Sequence, residues 1–539
     1  MLLLAAGAAL LTPLPTYPFG RDQGVFACVA DVIARGGVPY RDAWDMKPPG
    51  IFYLFWASFA LFGRSMLAPR ILDLVWTLAT AIAIWSLGRR LLSSWAGIAA
   101  GYLFLVRYIG NRLFWHTTQC DGFASLPLAL AAIIFLRAET RRSALLAAVC
   151  GVLVALAISF KFTLGIFLLL PCIAALSSRE EPLRPRLLRC GCYVVGCCLA
   201  LGLVAALMWR AGGLHDMVEI VFVWNSKYAA LHVPAPLQRS LLQELGKFLI
   251  GVPNAYLFPI GLLALVGLVD LGLRKDAGRV RWFIPAWSVA LAASVWVQGR
   301  YYPYHWLPVL PPLALLAGQG LRTIGFLLHR GATRRAARAL SAAGLVALLV
   351  ILTFAYWRFL NWPVRHALGR VPRDVYLRGF DRRLSSDFSL IADLRVAAWL
   401  RDHTEEETPV FIWGFEPLVY FLADRPPASR FLYTVPLIAD WSPPEWRQEL
   451  VRDLRRKRPP YVLVVHNDVT PWMTGSWNDS AEELAGYPEL HRLLDHDYRL
   501  CHQIEDFDIW ERTPPSSLRA GVETEPADSS DVLPAQSPR

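Results

Sequence analysis

Apolar runs of membrane length recur along this chain from its first residues to about Trp357, separated by short polar loops. Inside a bilayer every backbone amide needs a partner within the protein, so runs of this kind can only fold as helices that cross the membrane or lie in it. With 55% hydrophobic and 18% charged residues among 539 and a mean hydropathy of +0.37, the composition excludes an ordinary soluble globule. The net charge of +11 would suit nucleic acid if it were clustered. Instead the Lys and Arg residues are parcelled into loops at 88–91, 137–142, 179–189, 274–281 and 329–338, which sets membrane orientation and implies no nucleic-acid partner.

For those loops to share the cytoplasmic side, the run 51–63 cannot cross. At about 13 residues it is short for a span, so it is expected as a horizontal or re-entrant helix on the outer face. Spans then fall near 1–14, 71–87, 93–108, 122–136, 143–159, 163–177, 190–209, 247–273, 282–298, 304–327 and 339–357, about eleven in all, with everything after Trp357 outside. Residues 1–14 read as a first transmembrane helix, because no positive charge precedes the apolar region as a cleaved signal requires. The nine cysteines form no zinc-type spacing; Cys190, Cys192, Cys197 and Cys198 fit packing within one apolar run.

Residues 21–50 place Asp22, Asp31, Arg35, Asp42, Asp45 and Lys47 at a membrane edge. Phe26, Val29, Ala30 and Ile33 recur there at helical spacing, which predicts a short amphipathic helix in the interface plane, stopped by Gly36, Gly37 and Pro39. The topology puts Asp22, Lys47, His116, Asp121, Lys161, Arg300 and His305 at one outer surface, and ionisable groups at membrane depth are retained where they pair or work. Each also has a plain structural explanation. Lys161 fits a snorkelling lysine, His116 an interfacial hydrogen-bonding residue, Asp121 a helix N-cap, and Arg300 an aromatic belt.

The order of these features resembles the first outer loop of GT-C glycosyltransferases. An Asp follows the first apolar run, an aromatic stands four residues on, and G-G-V-P-Y and K-P-P precede the next run (Asp22, Phe26, 36–40, 47–49). The pattern is similar to the protein mannosyltransferase and aminoarabinose transferase branch, the bacterial family 39-like enzymes, over about residues 1–360. The resemblance implies an integral-membrane enzyme of the bacterial inner membrane that moves a sugar from a polyprenyl-phosphate donor to a hydroxyl of a glycan, lipid or protein acceptor on the outer face, with inversion. It implies Asp22 as general base, and Lys47, Lys161 and more weakly Arg300 on the donor phosphate. Asp121 matches a second acidic site, with His116 beside it as an acceptor or metal candidate. Tyr301, Tyr304 and His305, before Pro311-Pro312, resemble a loop near the lipid-linked donor. The sequence departs from its relatives in having Gln23 where many carry Glu, and no spacing defines a site for a divalent metal, which stays possible.

After residue 360 the composition changes. Residues 361–385 read as a linker, 386–513 as a small soluble α/β domain that covers the site or selects an acceptor, and 514–539 as a disordered tail. Helical periods at 390–401 and 445–456 alternate with strand-like runs at 410–413 and 461–465, and 503–510 reads as a closing strand. The fold class is thus mainly α, polytopic and GT-C-like, with a small C-terminal α/β domain. A transporter or flippase, or a polysaccharide ligase or polymerase using lipid-linked sugars, is the alternative. The first lacks matching interrupted helices, and the second is expected to carry its key residues in a late loop.

Overall fold

The computed structural model describes residues 2–109, 114–169, 181–230, 257–278, 280–330, 361–381 and 388–514, with the isolated positions 243, 246 and 339. Four of its helices are long and apolar enough to cross a membrane: Leu67–Leu91, Cys120–Arg141, Leu183–Arg210 and Val280–Val297. Shorter apolar helices, Ser94–Ile109, Ala144–Phe160 and Ile260–Leu273, pack among them. Where these helices meet, small residues let the backbones touch. A Cβ on Gly151 would lie 2.0 Å from the Tyr193 carbonyl oxygen, and one on Gly196 would lie 2.2 Å from that of Ala148, so Ala144–Phe160 and Leu183–Arg210 tolerate nothing larger at their crossing.

Several expected spans take a different form. The first helix covers only Leu2–Ala9, because Pro13 and Pro15 turn the chain into a 3₁₀ segment, Leu14–Thr16. Residues Phe162–Leu168 form a 3₁₀ segment rather than the start of a straight span, and Pro303–Val309 does the same ahead of the helix Leu310–Arg330. The span expected at 339–357 and the beginning of that at 247–273 lie outside the described residues.

The amphipathic period of residues 21–34 produces the helix Arg21–Ala34, and the short apolar run produces Gly50–Phe62. The two pack through Phe26, whose ring meets Phe55 edge-on at 5.5 Å. On its other side Gly50–Phe62 leaves Tyr53, Trp56, Leu61 and Phe62 uncovered, as a helix resting in lipid would.

The C-terminal part has a four-stranded sheet in the order β1 (Phe411–Trp413), β2 (Tyr461–Val465), β4 (Phe507–Arg512), β3 (Tyr498–Ile504). β1 runs parallel to β2, and β4 is antiparallel to both of its neighbours. Helix Leu390–His403 packs on it, Trp399 meeting Tyr461 of β2 edge-on at 4.9 Å. Residues 503–510, expected as one strand, are the tip of a hairpin: Glu505 takes a left-handed φ of 51° and turns β3 into β4. Glu-Asp at that tip lacks the Asn-Gly chemistry by which a two-residue turn is recognised. Residues 361–367 and Arg373–Arg378, in the stretch read as a linker, are helical.

This domain sits on the helix Arg21–Ala34. A Cβ on Gly24 would lie 2.9 Å from the backbone of Leu418, the Cys28 thiol donates to the Pro417 carbonyl at 3.1 Å, and the Trp44 amide donates to the Arg430 carbonyl at 2.7 Å. Arg430 in turn pairs with Asp216 at 3.0 Å and Glu449 at 2.7 Å, which joins the domain to the loop after Leu183–Arg210.

Candidate active site

Between the interfacial helix, the ends of the membrane helices and the C-terminal domain lies a cavity of about 780 Å³. Asp22 enters it from the first turn of Arg21–Ala34, and its Oδ2 accepts a hydrogen bond of 3.0 Å from the Gln119 amide, which also donates to the Trp115 carbonyl at 2.7 Å. Lys47 enters from the Pro39–Ala43 turn and the proline pair that follows it, with its ammonium 6.0 Å from the centre of the Tyr304 ring. Burial alone would lower the Lys47 pKa. The field of Asp22, with Asp45 and Asp121 behind it, outweighs that and holds the ammonium above its ordinary value, so Lys47 is a fixed cation.

Lys161 is engaged within the protein. Its Nζ lies 2.8 Å and 2.9 Å from the two carboxylate oxygens of Asp121, which stands at the start of Cys120–Arg141 and is fully enclosed. The N-cap of that helix is Gln119, so Asp121 does not cap it. Arg300 donates to the Tyr228 carbonyl at 2.9 Å and lies over the Tyr228 ring at 4.9 Å. His116, Tyr304 and His305 line the cavity, His305 edge-on to Tyr304 at 4.8 Å and with an Nδ1 that has no hydrogen-bond partner among the described residues. Tyr301 is the exception among the sequence candidates: it stacks on Trp296 at 5.9 Å, away from the lining, and Tyr302 takes its place at the wall.

The chain resembles known proteins over its whole length in shape and over a part in sequence. A profile described as dolichyl-phosphate-mannose-protein mannosyltransferase matches residues 46–209. No curated protein matches by sequence. Among solved structures, ArnT from Cupriavidus metallidurans bound to undecaprenyl phosphate superposes with a TM-score of 0.57 at 15% identity, covering 95% of this chain and 98% of that one. Its apo form gives 0.58 at 16%, covering 96% and 98%. Archaeal oligosaccharyltransferase AglB from Archaeoglobus fulgidus, in complex with an inhibitory peptide and a dolichol-phosphate, gives 0.50 at 11%, covering 95% and 74%. The chain has the GT-C fold. Residues 46–209 are similar to a glycosyltransferase family, and four of the described helices are long and apolar enough to cross a membrane.

Several residues that shape this GT-C cavity were not singled out from the sequence. Gln23, noted only as a departure, is wholly buried. Its amide donates to the Trp115 carbonyl at 2.8 Å and to the Thr117 carbonyl at 2.9 Å, while its oxygen accepts from the Gly20 amide at 3.1 Å. A carboxylate could not make the two donations, so Gln at this position ties the first turn of the Asp22 helix to the 115–119 loop. Behind that loop, Arg70 donates to Thr117 (2.6 Å), Thr118 (2.8 Å) and the Pro18 carbonyl (2.5 Å), and Asp73 accepts from the Thr118 amide (2.9 Å) and hydroxyl (3.0 Å) and from Tyr108 (2.6 Å). An Arg and an Asp one turn apart in an otherwise apolar helix were the available signal. Arg21, beside Asp22, is held by Glu416 of the C-terminal domain, with its Nε 3.0 Å from Oε1. As for a metal, no group of three His, Cys, Asp or Glu side chains converges among the described residues, and both Asp121 oxygens already face Lys161.

Proposed function

We propose that this protein transfers a sugar from a polyprenyl-phosphate donor to an acceptor hydroxyl, on the outer face of a bacterial inner membrane. The carrying observation is one cavity, between membrane helices and the C-terminal domain, that holds the Asp22 carboxylate, which among the described residues accepts from a neutral amide alone, together with the fixed cation Lys47. The acceptor oxygen attacks the anomeric carbon and its proton passes to Asp22. The bond from that carbon to the donor phosphate oxygen breaks with its electron pair going to the phosphate. One displacement inverts the centre, and polyprenyl phosphate is left in the membrane.

Lys47 supplies positive charge where the leaving phosphate gains negative charge, and the enclosed site gives that charge more weight than it has in water. Arg300, held by Tyr228, adds a second cation on the cavity wall. Lys161 would reach phosphate only by exchanging it for Asp121, which makes this pair a reserve of charge. The basic loops on the other side of the membrane support the outward orientation. An acidic base and a cation on one cavity support transfer over transport, which calls for a passage.

The test is transfer by the protein in lipid nanodiscs, using a panel of radiolabelled undecaprenyl-phosphate sugars and the glycans extracted from cells with and without the gene. Asp22→Asn keeps the shape and removes the base, and is expected to lower turnover roughly 100- to 10,000-fold. Lys47→Ala is expected to weaken the lipid donor at unchanged folding. Substantial turnover by Asp22→Asn would sink the assignment of the base, and unchanged donor affinity in Lys47→Ala would sink the phosphate contact.

A further inference from the structure

One group on the cavity wall enters that scheme only through its field on Lys47. Asp45 lines the cavity two residues before Lys47 and is 3% exposed. Its Oδ1 accepts a hydrogen bond of 3.0 Å from the hydroxyl of Tyr433, a residue of the C-terminal domain that also lines the cavity. Its Oδ2 has no hydrogen-bond partner among the described residues. Buried polar atoms in native proteins are almost always satisfied, and an idle one at a cavity wall marks where a ligand group belongs.

The backbone that carries this carboxylate is fixed in place. Trp44 just before it is boxed edge-on by Trp224 at 4.9 Å, Tyr433 at 5.6 Å and Trp446 at 5.8 Å, and its amide is tied to Arg430. Burial raises the Asp45 carboxyl to about 6, which still leaves it an anion at neutral pH.

We infer that Asp45, steadied by Tyr433, accepts a hydrogen bond from a hydroxyl of the sugar substrate, so that the C-terminal domain takes part in choosing the sugar. The inference rests on the transferase reading above. The Tyr433 proton is committed to Asp45, so this corner of the wall offers acceptor atoms only. It repels a phosphate and takes a donor group, and in a sugar the donors are its hydroxyls. Phe415, its ring tilted against that of Tyr433 at 5.0 Å, and Met473 also line the cavity, where the C–H face of a sugar ring can rest. The hydroxyl belongs either to the sugar on the lipid or to an acceptor glycan, and the two sources separate experimentally.

The experiment uses the full chain in nanodiscs, first wild type and then Asp45→Asn and Tyr433→Phe. Three quantities are read: affinity for undecaprenyl phosphate without sugar, affinity for the undecaprenyl-phosphate sugars of the panel without acceptor, and KM for the acceptor. Bare undecaprenyl phosphate should bind within two-fold of wild type as an order-of-magnitude expectation, while one of the other two quantities worsens about 10- to 100-fold in Asp45→Asn and less in Tyr433→Phe. A loss with the lipid-linked sugar assigns the hydroxyl to the donor, and a loss confined to acceptor KM assigns it to the acceptor. Equal loss for the bare lipid would mean that Asp45 acts through Lys47 and would overturn the sugar contact, as would no change in any of the three. Tyr433→Phe removes one oxygen and carries the comparison if Asp45→Asn fails to fold. Should the wild type bind and transfer nothing from the panel, the transferase reading falls first and this inference falls with it.

Discussion

Replacing Gly24 by alanine sets two effects of opposite sign against each other. Gly24 lies inside the helix Arg21–Ala34, where alanine is intrinsically favoured by about 1 kcal/mol. The added methyl, however, would stand 2.9 Å from the nitrogen, Cα and Cβ of Leu418, at the start of the helix Leu418–Ala423. Carbon atoms rest about 3.5–4.0 Å apart, so the two helices must separate by roughly half an ångström or more. The neighbouring backbone resists: Pro417 accepts from Cys28, and the Phe415 amide donates to Asp468 at 2.8 Å. Overpacking against backbone costs about 1–3 kcal/mol, which exceeds the helical gain and leaves a net loss on the order of 1 kcal/mol in how firmly the C-terminal domain is seated. Thermal unfolding followed by tryptophan fluorescence, with limited proteolysis of the seated domain, reads this directly. A Gly24→Ala protein that unfolds later and resists protease better than wild type would refute the close packing of the two helices.

Three further outcomes follow from the same geometry. Gln23→Glu replaces an amide that donates to two carbonyl oxygens by a carboxylate that cannot, and should destabilise by about 1–3 kcal/mol, measured as a lower unfolding midpoint, rather than improve turnover. Arg70→Met removes three hydrogen bonds from a fully buried cation and should cost on the order of 3–5 kcal/mol, loosening the 115–119 loop enough to depress activity without touching substrate; a midpoint unchanged from wild type would contradict it. Asp393 is fully buried with neither oxygen partnered among the described residues, while its neighbour Glu416 holds Arg21. Burial first, and then Glu416, pushes the Asp393 carboxyl well above its ordinary range, so Asp393 keeps its proton. A folded-state pKa above the unfolded one adds stability that is complete below the unfolded value and is lost as pH rises through the folded one. Asp393→Asn cannot ionise, so it should match wild type in acid and exceed it increasingly toward alkaline pH; parallel stability–pH curves for the two proteins would count against a protonated Asp393.

Much of this organisation could be read from the chain because membrane folding leaves few choices. Apolar run length marked out the short helix Gly50–Phe62 from longer ones, and loop charge grouped Asp22, Lys47, His116, Asp121, Lys161, Arg300, Tyr304 and His305, which line one cavity in the structure. What the pattern lacked was direction at single residues. Tyr301 and Tyr302 are adjacent and alike, and only backbone geometry decides which faces inward. That Lys161 is spent on Asp121 needed three dimensions, since the two lie 40 positions apart. The roles of Gln23, Arg70 and Asp73 are hydrogen bonds to loop backbone, and such bonds leave no periodicity behind. Asp45 looked like one more charge in a polar loop until Tyr433, 388 positions away, was found against it.

The soluble domain supplies Phe388, Phe415, Tyr433, Thr470 and Met473 to the cavity, so it is one of the vessel's sides rather than an appendage. Trimming the chain to its membrane helices would therefore yield an open bowl, not a smaller version of the same catalyst. Water entering there would screen Asp22 from Lys47, the bare Gly24 face of the helix Arg21–Ala34 would be left against solvent, and Arg21 would lose Glu416.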